Sequence, residues 1–153
     1  LIRNPTNFGT TTVASADTRR QLFATVFSSV SGTFTADEEI NQASTGAVGK
    51  VVEYDSTNKI LYYYQTRFPD VGTDSNGNQT AFSGANAITG QSSSASATPD
   101  TSNSTTTNGA VFVSGYSNPE LAFDSGDIIY VEERSPITRA SDQTENIKLI
   151  IEF

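Results

Sequence analysis

The run Val51-Val52-Glu53-Tyr54, Asp55-Ser56-Thr57-Asn58-Lys59, Ile60-Leu61-Tyr62-Tyr63-Tyr64 reads as a β-hairpin. β-Branched and aromatic residues suit a pleated, half-buried surface, and Asp, Ser and Asn between two such runs supply turn chemistry. Side chains alternate across a strand, so Ile60, Tyr62 and Tyr64 share one face while Leu61, Tyr63 and Gln65 share the other. The hairpin sets the expected class: all-β, mainly an antiparallel sandwich or small barrel, with long polar loops and at most one short helix.

Two similar segments flank it. Phe34-Thr35-Ala36-Asp37-Glu38-Glu39-Ile40 resembles Phe82-Ser83-Gly84-Ala85-Asn86-Ala87-Ile88, and each precedes a tail rich in small and polar residues. Related edges on both sides of a tyrosine hairpin predict a small antiparallel barrel over Ser31–Gly90. Upstream, Ala14–Val30 is the one helix candidate: Leu22, Val26 and Val30 recur at helical spacing, yet Leu22, Ala24, Val26 and Val30 also alternate by two. Its Phe, Thr and Val content predicts a helical turn near Ala14–Gln21 and then a strand.

Downstream, eleven of the sixteen residues Ser92–Thr107 are Ser or Thr. Such a segment buries too little apolar surface to offset its ordering entropy, so a solvent-facing loop is expected. Strand character resumes at Val111–Val113, Asp127–Glu132 and Asn146–Phe153. The expected organisation is a strand and connection over 1–30, a barrel-like module over 31–90, a Ser/Thr-rich loop over 91–110, and strands over 111–153 that complete the core begun by 1–30.

With 35% hydrophobic residues in 153, the chain is lean in apolar groups beside the usual soluble domain, even allowing for its Gly. That predicts marginal stability alone and a core completed by association. The start at Leu1-Ile2-Arg3-Asn4-Pro5, without Met, reads as part of a longer protein. A net charge of −8 argues against nucleic acid, where clustered Lys and Arg displace counterions, and against anionic membrane surfaces. No apolar run reaches a membrane span's length of about 18 residues. Without Cys there is no disulfide framework, which suits a reducing compartment.

The same composition removes most catalytic chemistry. No His or Cys is present, which excludes Ser/His/Asp and Cys/His triads and the usual zinc sites. The three lysines, Lys50, Lys59 and Lys148, stand in no nucleotide-binding or Ser-x-x-Lys setting. Glycosidase chemistry needs only two carboxylates; Asp37, Glu38, Glu39, Asp124, Asp127, Glu132 and Glu133 are candidates, read as solvated surface charge. Asp74-x-Asn76-x-Asn78 imitates the first ligands of a calcium loop, but Gln79 and Ala85 replace the required Gly and Glu. It reads as a tight turn with Gly77 at positive φ. No catalytic, cofactor or metal site is expected.

The ending reads Ser125-Gly126-Asp127-Ile128-Ile129-Tyr130-Val131-Glu132-Glu133-Arg134-Ser135-Pro136-Ile137, then Asp142-Gln143-Thr144-Glu145, and closes on Phe153. It resembles the C-terminus of the peripheral, dimeric baseplate wedge subunit of T-even-like contractile-tailed bacteriophages. The pattern runs Ser-Gly, an acid, two apolar residues, Tyr, an apolar residue and Glu, then x-Arg-x-Pro-Ile and Asp-Gln-Thr-Glu before a last strand. Asp127, Glu133 and Ser135 depart from it, standing where Glu, Asn and Pro are expected. Leu1–Pro5 resembles the family's Ile-x-Asn-Pro strand exit. The match spans Ser125–Phe153, and the segment from Pro5 to Asn118 resembles nothing in the family, so the barrel reads as an insertion.

The resemblance implies a β-sandwich virion protein without catalysis or cofactor. It also implies a homodimer that holds other baseplate wedge proteins, is completed by an N-terminal portion of the same protein, and is assembled in the host cytoplasm. Its interaction residues would be Ser125, Gly126, Tyr130, Glu132, Arg134, Pro136, Asp142, Gln143, Thr144, Glu145 and Phe153. Pro136 fixes φ in the connection, and Arg134 offers a rigid five-donor fork for a carboxylate or backbone carbonyls. Asp142 and Thr144 can hold a turn before a strand with Ile147, Leu149 and Ile151 on one face. The competing reading is a carbohydrate- or receptor-binding tail module, which needs an exposed, co-planar set among Tyr62, Tyr63 and Tyr64. A carboxylate hydrolase would need two carboxyl groups about 5–9.5 Å apart in a cleft.

Overall fold

The computed structural model describes residues 2–15, 20–65, 71–122 and 125–132. Its first strands are β1 (Ile2–Arg3), β2 (Phe23–Ser31), β3 (Glu39–Gln42), β4 (Ala47–Asp55), β5 (Ile60–Tyr64) and β6 (Ile88–Gly90). Then come β7 (Ser96–Pro99), β8 (Thr106–Thr107), β9 (Ala110–Val111), β10 (Tyr116–Ser117) and β11 (Asp127–Ile128). These strands pair antiparallel throughout. No helix forms among the described residues, so the all-β class holds. The helical turn expected near Ala14–Gln21 falls largely on 16–19, outside the described residues.

β2 organises the fold because it is long enough to serve three partners. Phe23–Val26 pair with β5, while along the other edge Ala24 and Thr25 pair with β10 and Phe27–Ser31 with β7. Through β5, β4, β3, β6 and β7 the sheet therefore returns to β2 and closes as a barrel. Closure removes the open edges that a flat sheet would expose. Register breaks at Val51/Glu53 and at Phe27/Ser29 supply the bends a narrow barrel needs.

The barrel interior is filled by Phe27, Phe34, Ile40, Val51, Leu61, Tyr63, Phe82 and Ile88, with Ala47, Ala95 and Ala97 where strands come close. The similar segments converge here: Phe34 and Phe82, Ile40 and Ile88 enter one core, and β3 and β6 lie side by side. A second, smaller core sits on the barrel's outer face, where Ala110 and Phe112 cover Ala24, Val26 and Ile60, with Tyr62 alongside. Alternation along β5 sorts its residues as expected: Leu61 and Tyr63 point inward, Ile60 and Tyr62 outward to the second core.

Four expectations need correction. The barrel runs from Phe23 to Pro99 rather than Ser31–Gly90, because β2 and β7 form its seam. Ser92–Thr107 is accordingly not an irregular loop: Ser96–Pro99 is a strand with Ala95, Ala97 and Pro99 buried. The physical reason is size. At the seam small side chains let β7 approach β2 and β6 closely, so a stretch poor in large apolar residues still packs, and its polar groups are spent on hydrogen bonds. The strand expected over Asp127–Glu132 is limited to Asp127–Ile128, and the one over Val111–Val113 appears as Ala110–Val111.

Candidate interaction surface

Chain entry to the barrel and exit from it lie side by side. The Glu120 and Leu121 N–H groups donate to the Arg20 carbonyl at 2.7 and 3.1 Å, and the Arg20 N–H donates to Glu120 Oε2 at 3.1 Å. The Arg20 guanidinium closes the neck, giving Nη1 to the Leu22 carbonyl at 2.7 Å and Nη2 to Ser117 Oγ at 3.0 Å. Burial lowers its pKa, while nearby Glu120 favours its charge. An open groove of about 490 Å³ borders this neck, lined by Arg20, Val111, Val113, Tyr116, Pro119 and Glu120 among others.

Beyond the neck the two chain segments continue together. Asn7 bridges to Leu121, the Phe8 N–H donates to the Glu120 carbonyl at 2.8 Å, and the Ala122 N–H donates to the Thr6 carbonyl at 3.0 Å. Ser125 locks the next step: its Oγ accepts the Thr6 N–H at 2.9 Å and donates to the Ala122 carbonyl at 2.6 Å. At Gly126, φ is +100°, and a Cβ would stand 2.6 Å from Ile2 Cγ2 and 2.7 Å from the Arg3 carbonyl oxygen. Only glycine fits both that backbone and that approach. β1 and β11 then pair, Ile2 opposite Ile128 and Arg3 opposite Asp127. The Arg3–Asp127 ion pair, at 3.9 Å with both side chains about two-thirds exposed, contributes at most about 1 kcal/mol.

The ribbon and the residues after its second strand expose apolar side chains. Ile2, Ile128, Ile129, Tyr130 and Val131 are each between 51% and 71% exposed. Scattered exposed apolar residues are ordinary, but Ile2 and Ile128 stand opposite each other on the ribbon, with Ile129, Tyr130 and Val131 following directly, a concentration of the kind that marks a contact surface. Of the residues singled out in the sequence, Ser125, Gly126, Tyr130 and Glu132 belong here. Arg134, Pro136, Asp142, Gln143, Thr144, Glu145 and Phe153 lie outside the described residues.

Among the described residues no group of three or more Asp and Glu could hold a metal ion. Asp74 accepts the N–H groups of Asn76 and Asn78 at 2.8 and 2.9 Å, and Gly77 has φ +76°, the tight turn expected. Glu38 is a correction, since it is buried rather than solvated. Its carboxylate accepts from the N–H groups of Thr35, Ser92 and Ser93 and from Ser93 Oγ, at 2.7–3.1 Å. Burial alone would raise its pKa, but those donors outweigh it and hold the group below the usual glutamate range. The spacing Thr35-x-x-Glu38, in which a carboxylate reaches back to a backbone N–H three residues earlier, was the available signal. The tyrosines separate: Tyr63 is buried, Tyr62 half-buried and Tyr64 just exposed, so they form no common platform.

Comparison with known protein families finds a match to the family model described as Bacteriophage T4, Gp8, over residues 57–153. It takes in β5 to β11, so three strands of the barrel belong to the family's sequence, which corrects the expectation that nothing between Pro5 and Asn118 resembles it. No curated protein and no solved structure matches the chain.

Proposed function

The chain belongs to the Gp8 family of bacteriophage T4, and we propose from that membership that it holds neighbouring proteins through the β1–β11 ribbon and the segment that follows. The family is one of structural baseplate wedge proteins, so the chain is a structural component of the phage tail baseplate and interacts with other baseplate proteins there. Such a role is non-enzymatic in kind.

The observation that carries the finer reading is the exposed run Ile128-Ile129-Tyr130-Val131, which begins on the ribbon's second strand beside Ile2. A two-stranded ribbon is marginal alone, and covering its apolar side chains would contribute about 25 cal/mol per Å² removed from water. In this reading Arg134, Pro136, Asp142, Gln143, Thr144, Glu145 and Phe153 extend the same contact as a structural lock, within a homodimer, and further strands come from an N-terminal portion of the polypeptide. The barrel over Phe23–Pro99 then lies in sequence between the ribbon's two strands, with its later strands β5–β7 part of the family's own sequence; the adjacency of Arg20 and Glu120 supports this. Assembly in the host cytoplasm suits a chain without cysteine.

Because the chain has no cysteine, Tyr130→Cys and Thr57→Cys each place one thiol for crosslinking in assembled baseplates. Tyr130→Cys should join to another baseplate protein and Thr57→Cys, in the β4–β5 turn, should not. Failure of Tyr130→Cys to crosslink in correctly assembled particles would remove the ribbon from the account.

A further inference from the structure

Asn108 and Gly109 form the entire β8–β9 turn, with Thr107 paired to Ala110 and φ of +50° and +76°. Positive φ at both positions is the hairpin geometry that Asn-Gly suits. Asn108 Nδ2 donates to Asp55 Oδ2 at 2.8 Å, which ties this turn to the β4–β5 turn. Behind that clasp, Ala110 and Phe112 cover the outer apolar cluster of Ala24, Val26 and Ile60. Both turn residues are exposed, and nothing lies within 4 Å of where a Gly109 Cβ would stand. The Gly109 N–H meets no acceptor among the described residues.

We propose that Asn108 is a site of spontaneous hydrolytic modification whose product releases the β8–β9 hairpin from the barrel. The Gly109 amide nitrogen gives its proton to solvent base and attacks Asn108 Cγ. A C–N bond forms, Nδ2 takes a proton back from solvent, the Cγ–Nδ2 bond breaks and ammonia leaves, closing a succinimide ring. Water then opens either ring carbonyl, leaving aspartate or isoaspartate at 108. Glycine at the next position permits the approach because it carries no side chain. At Asn76–Gly77 the equivalent nitrogen is engaged, donating to the Asp74 carbonyl at 3.0 Å.

The consequence follows from the clasp. Modification replaces a donor with a carboxylate facing Asp55, and two carboxylates at hydrogen-bond distance disfavour each other's charge. The Asn58 side chain holds Asp55 below the usual carboxylate range, so Asp55 stays charged and the repulsion is not relieved at neutral pH. Isoaspartate also lengthens the backbone within a two-residue turn, breaking the β8–β9 register. The same clasp gates the reaction, because a carboxamide held by Asp55 cannot swing toward the Gly109 nitrogen.

The test incubates the intact chain and its Asp55→Ser variant at mildly alkaline pH, with peptide mapping by mass spectrometry at Asn108 and Asn76. Serine still offers an oxygen to the turn amides but is too short to hold Asn108. Asn108 should be modified in both chains, several-fold faster in the variant, while Asn76 changes at the same rate in each. No modification at Asn108 in either chain, or equal rates there in both, overturns the proposal. A second arm compares Asn108→Asp with Asn108→Ala at neutral pH. The aspartate variant should melt lower and lose more protection from hydrogen exchange over β8 and β9; identical behaviour overturns the release step.

Discussion

Arg20 and Glu120 grip each other through backbone and side chain at the single neck where the chain enters and leaves the barrel. One hundred positions of sequence therefore begin and end at one point. Residues 20–120 contain both apolar clusters and should fold without the ribbon. A fragment of those residues should give a cooperative melt within a few degrees of the whole chain's. A non-cooperative trace would show that the barrel depends on what flanks it.

Glu38 should be a stability determinant. Glu38→Ala leaves the Thr35, Ser92 and Ser93 donors without their charged acceptor, at a cost of about 2–4 kcal/mol. Its folded pKa is lowered, so its contribution is complete above the ordinary glutamate value of about 4.3 and is lost as pH falls through the lower folded value. The stability difference between wild type and Glu38→Gln, measured by denaturant titration, should therefore be constant near neutrality and shrink below about pH 4. A difference that grows on acidification would contradict the assignment.

The Ser92–Thr107 segment offers a sharp contrast between composition and structure. Excising it removes β7 and opens the seam with β2, so the deleted chain should fail to fold cooperatively. Circular dichroism and a thermal melt suffice; a near-normal melt would mean that the barrel does not need its closing strand.

Phe112 and its neighbours should behave oppositely despite their adjacency. Phe112 is 1% exposed in the outer cluster, and Phe112→Ala should cost about 3–5 kcal/mol. Val111→Ala and Val113→Ala, at well-exposed positions, should each change stability by less than about 0.5 kcal/mol. A comparable loss for all three would show that the hairpin's outer face is packed in solution.

Much of the architecture was legible because strand alternation is a local signal. Ile60 and Tyr62 against Leu61 and Tyr63 could be sorted from the sequence, and the likeness of the Phe34 and Phe82 segments pointed to a barrel around the hairpin. β7 was not legible, since its Ala97 and Pro99, with Ala95 just before it, gain their burial from the closeness of β2 and β6, a tertiary property. Nor could the Arg20–Glu120 neck or the Asp55–Asn108 clasp be read, because each joins residues distant in sequence through short polar contacts. Ser125 and Gly126 were singled out by resemblance alone, and the structure supplies their physical role against Thr6 and Arg3.

The most direct measurement is a density map of the assembled baseplate in which this chain is located. Ile2 and Ile128–Val131 should be covered by neighbouring protein, while the β4–β5 turn of the barrel and the β8–β9 turn beside it face solvent. A map with the ribbon's apolar side chains bare and the barrel wall buried in the contacts would contradict this arrangement.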